Sequence, residues 1–328
     1  MKTKPRTAVL YGGNSVEREV SVLSGMAVAE ALKSAGFDVA SIDARGDFIG
    51  AFRESKAEVA FLALHGAFGE DGQIQLILDD AGIPYTGSGP EASRVGMDKT
   101  ATKKILVENG IRTPQCHLAG PLDGDDLLHR AAEKLGYPTV VKPPCGGSSL
   151  GVSIARTVRE LDAAVAWARQ LESNVLLEKY VPGRELTVAV INGRALPVIE
   201  IICRGFYNFK AKYTKGHTEY VVEPRLAPAV EQAVKEAGAA TYRCLGCAGA
   251  ARVDLRLDEA NAPWVLEINT IPGMTATSLL PKAARAVGIE FPQLCEMMIA
   301  DALERRGAMQ KSSANKRGAA VAKKRASA

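Results

Sequence analysis

Hydrophobic and polar positions along the chain predict strands that alternate with helices, separated by glycine and proline. Apolar runs and helical spacings in the N-terminal part predict elements at 7–11, 24–35, 39–43, 59–64 and 74–81. This alternation is typical of a parallel, doubly wound sheet, which binds ligands beyond the carboxyl ends of its strands. Glycines follow two of the predicted strands, so we expect a ligand there.

The rest of the chain continues the α/β pattern and adds hairpins. Thr157 and Glu160 form a capping-box sequence that opens a helix. Asn192-Gly193 stands between two apolar runs and predicts a two-residue hairpin turn. Closing helices run to about residue 306. The other elements are predicted at 99–109, 125–135, 139–143, 152–155, 157–171, 175–179, 186–191, 195–202, 228–245, 250–257 and 264–269.

Length and composition indicate a globular protein of two or three domains. The chain has 328 residues, 47% hydrophobic and 24% charged, and domains of about 150 residues are common. The apolar run at 59–64 is far shorter than the roughly 20 residues that a membrane-spanning helix needs. The first residues show no signal peptide, and six cysteines are too few for a disulfide framework. We therefore expect a cytoplasmic protein that does not associate with membranes.

The positive charge of the chain is concentrated at its C-terminal end. Residues 309–328 contain six basic residues and no acidic one, whereas the whole chain has a formal net charge of +4. The preceding residues therefore carry a net charge of −2, so the folded body lacks the excess of positive charge that nucleic-acid binding requires. The tail itself has the composition of a disordered, solvated segment.

Two segments near the C-terminus place acidic groups on neighbouring strands. Alternation puts Arg252 and Asp254 on one strand face and Glu267 and Asn269 on one face of the next strand. Two carboxylates and an amide oxygen that converge in this way suit Mg²⁺, which shares its ligands with phosphates and water. The alternative is a ladder of surface ion pairs along an exposed hairpin.

A magnesium site implies a phosphate ligand, and a cationic, glycine-rich segment is present. Lys142 ends a predicted strand and is followed by PPCGGSSLG, whose small residues let backbone N–H groups approach phosphate oxygens. The segment matches neither a P-loop nor a dinucleotide fingerprint. A plain connecting loop is the alternative, and Lys142 with the acidic hairpin favours phosphate.

Taken in order, nine segments resemble the D-alanine:D-alanine ligases of the ATP-grasp superfamily, and the resemblance extends from about residue 7 to 306. The segments HGAFGEDG and EINTIPGMTATSL are the ones specific to this ligase group. The nine are GGNSVEREVSVLSG (12–25), LHGAFGEDGQIQ (64–75), PYTGSG (84–89), MDKTATK (97–103), VVKPPCGGSSLGVS (140–153), EKYVPGRELTV (178–188), FYNFKAKY (206–213), RVDLRL (252–257) and EINTIPGMTATSL (267–279).

The resemblance implies an α/β protein with the ATP-grasp fold, built from three α/β domains, the first with a doubly wound parallel sheet. We expect an N-terminal domain at 1–97, a central ATP-grasp domain at 98–182 and a C-terminal ATP-grasp domain at 183–308. Residues 309–328 are then a basic disordered tail. The resemblance also suggests a homodimer.

The implied cofactors are ATP and two Mg²⁺ or Mn²⁺ ions. Asp254, Glu267 and Asn269 would hold the metals, with Glu267 bridging them. Lys99, Lys142 and Lys212 would bind phosphates. The segment Glu178-Lys179-Tyr180-Val181 would line the adenine site, and Glu185 would hold the ribose.

The remaining residues match positions that bind D-alanine in the resembled enzymes. Glu17 would pair with the ammonium of the first D-alanine, with His65 close by. Ser148 and Tyr213 would hydrogen-bond with that glutamate, and Arg252 with the Gly273 N–H would form an oxyanion site. Ser278 and Leu279 would receive the carboxylate of the second D-alanine.

The implied reaction joins two D-alanines for peptidoglycan precursors, through an acyl phosphate formed from ATP. Tyr213 goes with dipeptide products in the resembled enzymes, although Asn208-Phe209 departs from the Asp-Tyr expected in the same segment. The closest alternative is a ligase with another acceptor, such as a D-alanine:D-lactate ligase. A nucleotide-binding regulator without catalysis is a further alternative, and retention of the phosphate and metal residues disfavours it.

Overall fold

The protein is described by a computed structural model covering residues 4–147, 150–203, 218–275 and 277–326, with side chains up to residue 308. The N-terminal part contains a parallel sheet in the order β2-β1-β3. All three strands lie where the apolar pattern predicts them. Helix α1 begins six residues before the predicted start, because its first turn is polar and has no hydrophobic spacing. The elements are β1 (Thr7–Tyr11), α1 (Arg18–Ser34), β2 (Val39–Asp43), α2 (Phe48–Glu54), β3 (Val59–Ala63), α3 (Gln73–Asp80) and α4 (Pro90–Met97).

The central part is an antiparallel sheet in the order β4-β7-β5-β6, covered by helices. Asp98 caps α5 by accepting hydrogen bonds from the N–H groups of Thr100 and Ala101. The Thr157 cap of α7 is confirmed, since Thr157 Oγ1 accepts from the N–H of Glu160 at 3.2 Å, while the Glu160 carboxylate accepts from the N–H of Arg156 at 2.8 Å. Its elements are α5 (Lys99–Glu108), β4 (Cys116–Ala119), α6 (Asp125–Leu135), β5 (Thr139–Lys142), β6 (Ser153–Ala155), α7 (Val158–Ala168) and β7 (Val175–Lys179).

The C-terminal part is a second antiparallel sheet, ordered β11-β10-β8-β12-β13, with β9 paired to β8. The Asn192-Gly193 hairpin is confirmed, with φ of 49° and 80° at its two residues. The strand predicted at 195–202 divides at Pro197, which has no N–H to donate. The elements are β8 (Arg184–Ile191), β9 (Arg194–Ala195), β10 (Ile199–Cys203), β11 (Thr218–Val222), α8 (Pro228–Cys244), β12 (Ala250–Leu257), β13 (Pro263–Asn269), α9 (Leu279–Ala286) and α10 (Phe291–Ala326).

One hydrophobic core joins the N-terminal and C-terminal parts. Phe61 of β3 and Leu32 of α1 share it with Leu280 of α9 and Leu294 of α10. The central sheet packs on α6 and α7 around a separate cluster that includes Leu161. The central sheet lies across from the C-terminal sheet, and residues of both line the cleft between them.

The last helix continues beyond the folded body. Helix α10 runs to Ala326, whereas the sequence predicts disorder from residue 309. Its last part is rich in Ala, Lys and Arg, residues with high helix propensity even without an apolar face. Within the described ranges, no helix has both the length and the apolar character needed to cross a bilayer.

Candidate active site

A cleft between the central and C-terminal sheets collects many of the residues singled out in the sequence. The lysines come from the central part, an arginine from the C-terminal sheet and carboxylates from both sheets. Six of the charged residues that line it are Lys99, Lys142, Glu178, Glu185, Asp254 and Glu267. The parallel sheet contributes a neighbouring group of polar side chains. The cleft thus has the charge distribution that a polyphosphate with bound cations requires.

The acidic hairpin of β12 and β13 has the predicted register. Asp254 lies directly opposite Glu267, and Arg252 opposite Asn269. The Asp254 carboxylate accepts hydrogen bonds from Thr187 Oγ1 at 2.6 Å, from Arg252 Nε at 2.9 Å and from Asn269 Nδ2 at 3.2 Å. The pairing shifts register after Asp254, at a β-bulge. The two carboxylates therefore lie on directly opposed positions, and the Asn269 amide contacts Asp254 through its Nδ2 rather than through the predicted oxygen.

This hairpin offers divalent metals an oxygen-only ligand set. Asp254 is buried and Glu267 has a quarter of its side chain exposed to the cleft. The described residues contain no cluster of three or more His, Cys, Asp or Glu arranged for a metal, so the third ligand here would be the amide oxygen of Asn269. Two carboxylates and one amide suit Mg²⁺, which keeps other positions for water and phosphate. The residues fit the metal site that the sequence predicts.

Lys99 connects the glycine-rich loop with the acidic hairpin. Its ammonium donates to the carbonyl oxygen of Gly146 at 2.7 Å and lies 3.3 Å from Glu267 Oε2. The side chain is buried although it is charged. Lys99 therefore carries its charge to the end of the cleft where the acidic ligands lie.

Glu178 is buried between two lysines. Lys142 Nζ donates to Glu178 Oε1 at 2.9 Å, and Lys103 Nζ lies 2.5 Å from Glu178 Oε2. Burial raises the pKa of Glu178, but the charges of Lys103 and Lys142 outweigh burial and hold that pKa below its ordinary value. The sequence analysis missed Lys103, because one more lysine in a helix carries no signal of burial.

The far end of the cleft is organised by Arg256. Its guanidinium contacts Glu185 Oε2 at 3.1 Å and donates to the carbonyl oxygens of Val181 and Gly183. The guanidinium also lies 5.7 Å from the centre of the Tyr180 ring. Arg256 therefore holds in place the segment that is predicted to bind adenine and ribose. The sequence does not indicate this role, because the partners of Arg256 are more than 70 residues away in the chain.

Lys179 and Val181 line the same cleft. The backbone N–H of Lys179 donates to the carbonyl oxygen of Gln115 at 2.9 Å, and its side chain is exposed. Val181 is buried. The predicted adenine segment therefore presents one apolar side chain and one exposed cation to the cleft.

A group of polar residues from the parallel sheet adjoins the glycine-rich loop. The carboxylate of Glu17 is buried, and a Cβ built on Gly147 would lie 3.0 Å from its Oε2. The same oxygen would lie 2.7 Å from a Cβ on Gly66, which has φ of 75°. The positive φ and the close contact require glycine at position 66, and a side chain at position 147 would crowd the Glu17 carboxylate.

His65 lies in the same group. Its Nε2 is 3.1 Å from Ser24 Oγ, and burial, with a smaller effect from the Arg252 charge, lowers its pKa to about 4. The imidazole is therefore neutral near pH 7 and can exchange hydrogen bonds without adding charge.

Glu70 is a second buried carboxyl beside Glu17. Burial first, and the charge of Glu17 next, raise its pKa to about 8. Glu70 Oε2 also accepts a hydrogen bond from the N–H of Gly66 at 2.7 Å. It is therefore mostly protonated near neutral pH. The HGAFGEDG segment contains Glu70, but only the folded environment distinguishes it from a surface acid.

The loop before α9 completes the site. Ser278 Oγ accepts from the N–H of Thr275 at 3.0 Å, and a Cβ on Gly273 would lie 2.8 Å from this oxygen. The N–H of Met274 approaches Ser24 Oγ at 3.4 Å, which links this loop to the His65 group. Leu279 is buried at the first turn of α9. Three predicted site residues, Ser148, Lys212 and Tyr213, lie outside the described residues.

The fold and the cleft together define an ATP-grasp enzyme, with an N-terminal parallel sheet and two antiparallel sheets around a charged cleft. Two family models match the chain, "D-ala D-ala ligase N-terminus" over residues 49–88 and "D-ala D-ala ligase C-terminus" over residues 119–300. The chain belongs to the D-alanine–D-alanine ligase family. The resemblance and fold class predicted from the sequence are confirmed.

Relatives cover nearly the whole chain. The D-alanine–D-alanine ligase of Anaeromyxobacter dehalogenans strain 2CP-C is 45% identical over 303 residues, which are 90% of this chain and 96% of the relative. The crystal structure of the ligase from Bacillus anthracis has 36% identity and a TM-score of 0.83, covering 93% of this chain and all of that one. The structure of the Bacillus anthracis ligase complexed with ATP has 34% identity, a TM-score of 0.82 and the same coverage.

Proposed function

We propose that this protein ligates two D-alanines to D-alanyl-D-alanine, with release of ADP and phosphate, for the synthesis of peptidoglycan precursors. The observation that carries the proposal is the contact between Lys99 and Glu267, 3.3 Å apart. This contact joins the lysines of the cleft, Lys99 and Lys142, to the acidic hairpin, close to the Glu17 and His65 group. The named relatives are D-alanine–D-alanine ligases, and one of them binds ATP.

In the first step, an oxygen of the first D-alanine carboxylate attacks the γ-phosphorus of ATP. The bond from that phosphorus to the β-phosphate bridging oxygen breaks, which gives an acyl phosphate and ADP. Lys99 and Lys142 are buried cations at this end of the cleft, and Lys212 is the third proposed phosphate ligand. Cations held in a cleft that excludes water stabilise the charge on the transferred phosphoryl group.

Asp254, Glu267 and Asn269 would hold two Mg²⁺ or Mn²⁺ ions, with Glu267 shared between them. Metals bound there supply positive charge to the phosphate oxygens. The chain itself fixes these ligands, because Asp254 is held by Thr187 and Arg252.

The first D-alanine would bind at the Glu17 group. The Glu17 carboxylate offers an ion pair to its ammonium, and neutral His65 lies beside the same group. The proposed contacts of Ser148 and Tyr213 with Glu17 would close this site. Closed in this way, the site would exclude water from the acyl phosphate, which otherwise hydrolyses.

In the second step, the amine of the second D-alanine attacks the acyl carbon. A C–N bond forms, the C–O bond to phosphate breaks, and the amine loses a proton to solvent or a base. Arg252 and the Gly273 N–H would stabilise the charge on the carbonyl oxygen. Ser278 and Leu279, at the N-terminal end of α9, would receive the carboxylate of this second substrate.

The proposal also includes the domain bounds, the location and the assembly of the protein. The proposed domain bounds are 1–97, 98–182 and 183–308. The cytoplasm is the proposed location, because it holds ATP and keeps the six cysteines reduced. The proposed assembly is a homodimer, and its substrates are ATP and D-alanine.

The experiment that tests this function is phosphate release from ATP and Mg²⁺ with D-alanine, with L-alanine, with D-alanine plus D-lactate, and without an amino acid. We expect release in both mixtures that contain D-alanine, with D-alanyl-D-alanine as the product in each by mass spectrometry, and none with L-alanine or without an amino acid. Preferential use of D-lactate would replace the proposal by a depsipeptide ligase. ATP binding without release under any condition would replace it by a regulator that has lost catalysis.

A further inference from the structure

A buried lysine lies behind the nucleotide cleft and does not line it. Lys103 is 3% exposed, in helix α5. Its Nζ contacts Glu178 Oε2 at 2.5 Å, Thr113 Oγ1 at 2.7 Å and the carbonyl oxygen of Pro114 at 3.2 Å. We propose that Lys103 is a positioning residue. It neutralises the Glu178 carboxylate, so that the positive charge of Lys142 is available to the phosphates of ATP.

The surroundings of the Lys103 ammonium supply two hydrogen-bond acceptors, the Thr113 hydroxyl and the Pro114 carbonyl, and one ion-pair partner, the Glu178 carboxylate. Neither the Glu178 carboxylate nor the Pro114 carbonyl can donate a hydrogen bond, so a neutral amine, with its lone pair, would satisfy this surrounding less well. Lys103 is buried and is not among the residues that line the cleft, so it does not contact a ligand bound there. Its function must therefore be exerted through Glu178.

Lys142 has the opposite environment. Its ammonium lines the cleft and, among the described residues, Glu178 Oε1 is its acceptor, at 2.9 Å. The other N–H bonds of Lys142 therefore remain for an oxygen-rich ligand in the cleft. The inference rests on the proposed role of Lys142 as a phosphate ligand.

Charge decides what Lys142 can do. Lys103, Glu178 and Lys142 together carry a net charge of +1, whereas Glu178 and Lys142 alone would form a neutral pair. All three are at most 7% exposed, so water screens these charges poorly. Without Lys103, the Glu178 carboxylate would neutralise the Lys142 ammonium and repel the phosphates of ATP.

The test is a double-mutant cycle on ATP affinity, measured by calorimetry with ATP and with adenosine. Lys103→Met should weaken ATP binding at least about tenfold while adenosine binding changes much less, because only the phosphates sense the lost charge. In a Glu178→Gln background, the same Lys103→Met change should weaken ATP binding by less than a third of the factor seen with Glu178 present. There the carboxylate that Lys103 neutralises is already gone.

Two reference variants separate the possible outcomes. Lys104→Met removes the exposed neighbouring lysine of α5 and should leave ATP affinity unchanged. Lys142→Met tests the proposed function itself. If Lys142→Met leaves ATP affinity unchanged, the phosphate role of Lys142 fails and the inference fails with it. If Lys142→Met weakens ATP binding but Lys103→Met does not, only the inference fails.

A purely structural role for Lys103 predicts a different cycle. Lys103→Met would then weaken ATP and adenosine binding equally, and by the same factor with Glu or Gln at position 178, which overturns the inference. Circular dichroism and thermal melting establish that each variant is folded. Should Lys103→Met not fold, Lys103→Gln carries the same comparison, because it removes the charge but can still donate to Glu178.

Discussion

Glu267→Gln is expected to lower turnover at least about hundredfold without unfolding the protein, because a neutral amide is a poor ligand for divalent cations. Glu267 lies opposite Asp254 and 3.3 Å from Lys99 Nζ. The substitution therefore also removes the carboxylate that lies 3.3 Å from Lys99 Nζ. Steady-state phosphate release measures the loss, and Mn²⁺ titration followed by electron paramagnetic resonance measures metal affinity apart from activity.

The matched control is Glu259→Gln, which changes an exposed glutamate in the turn of the same hairpin. We expect Glu259→Gln to leave both turnover and Mn²⁺ binding unchanged. Retention of a tenth of the turnover by Glu267→Gln, with normal Mn²⁺ affinity, would remove Glu267 from the metal ligands.

Arg252→Ala is expected to lower kcat by about 10²–10³, the usual effect of losing a donor to a developing oxyanion. The guanidinium holds both oxygens of Asp254, at 2.9 and 2.8 Å. Its charge also reaches His65 and Glu70, since it lowers the pKa of each of these buried groups, against burial in the case of Glu70. Arg252 therefore lies between the acidic hairpin and the proposed site of the first D-alanine.

Arg256→Ala provides a comparison two residues further along the same strand. Arg256 contacts Glu185 and the backbone at 181 and 183. We expect Arg256→Ala to raise the KM for ATP with little change in kcat, and Arg252→Ala to show the reverse. Equal changes in the KM for ATP with unchanged kcat in both variants would contradict the oxyanion role.

The sequence predicts the parts of the site that local periodicity controls. Strand alternation and a short turn suffice to place Asp254 opposite Glu267, and the structure has that register. Gly66, which follows β3, likewise lies beside Glu17, as expected for the carboxyl edge of a parallel sheet, whereas Gly12, which follows β1, lies beside Asp43 and Arg18.

Residues whose role depends on distant partners were not predictable. Lys103 is separated from Glu178 by 75 positions, Arg256 from Glu185 by 71, and Glu70 is distinguished only by burial next to Glu17. In sequence, each is an ordinary charged residue on an amphipathic segment. The C-terminal segment shows the converse problem, because a charged composition indicates disorder while alanine and lysine favour the helix that α10 forms there.

The most direct test of the proposed ligation follows the oxygen atoms of D-alanine labelled with ¹⁸O in its carboxylate. A carboxylate that attacks the γ-phosphorus of ATP gives up one oxygen when the acyl phosphate is aminolysed. We therefore expect one ¹⁸O atom in each inorganic phosphate and a dipeptide whose amide carbonyl retains the other, by mass spectrometry. Unlabelled phosphate beside the dipeptide, or AMP and pyrophosphate in place of ADP and phosphate, would contradict the acyl-phosphate route.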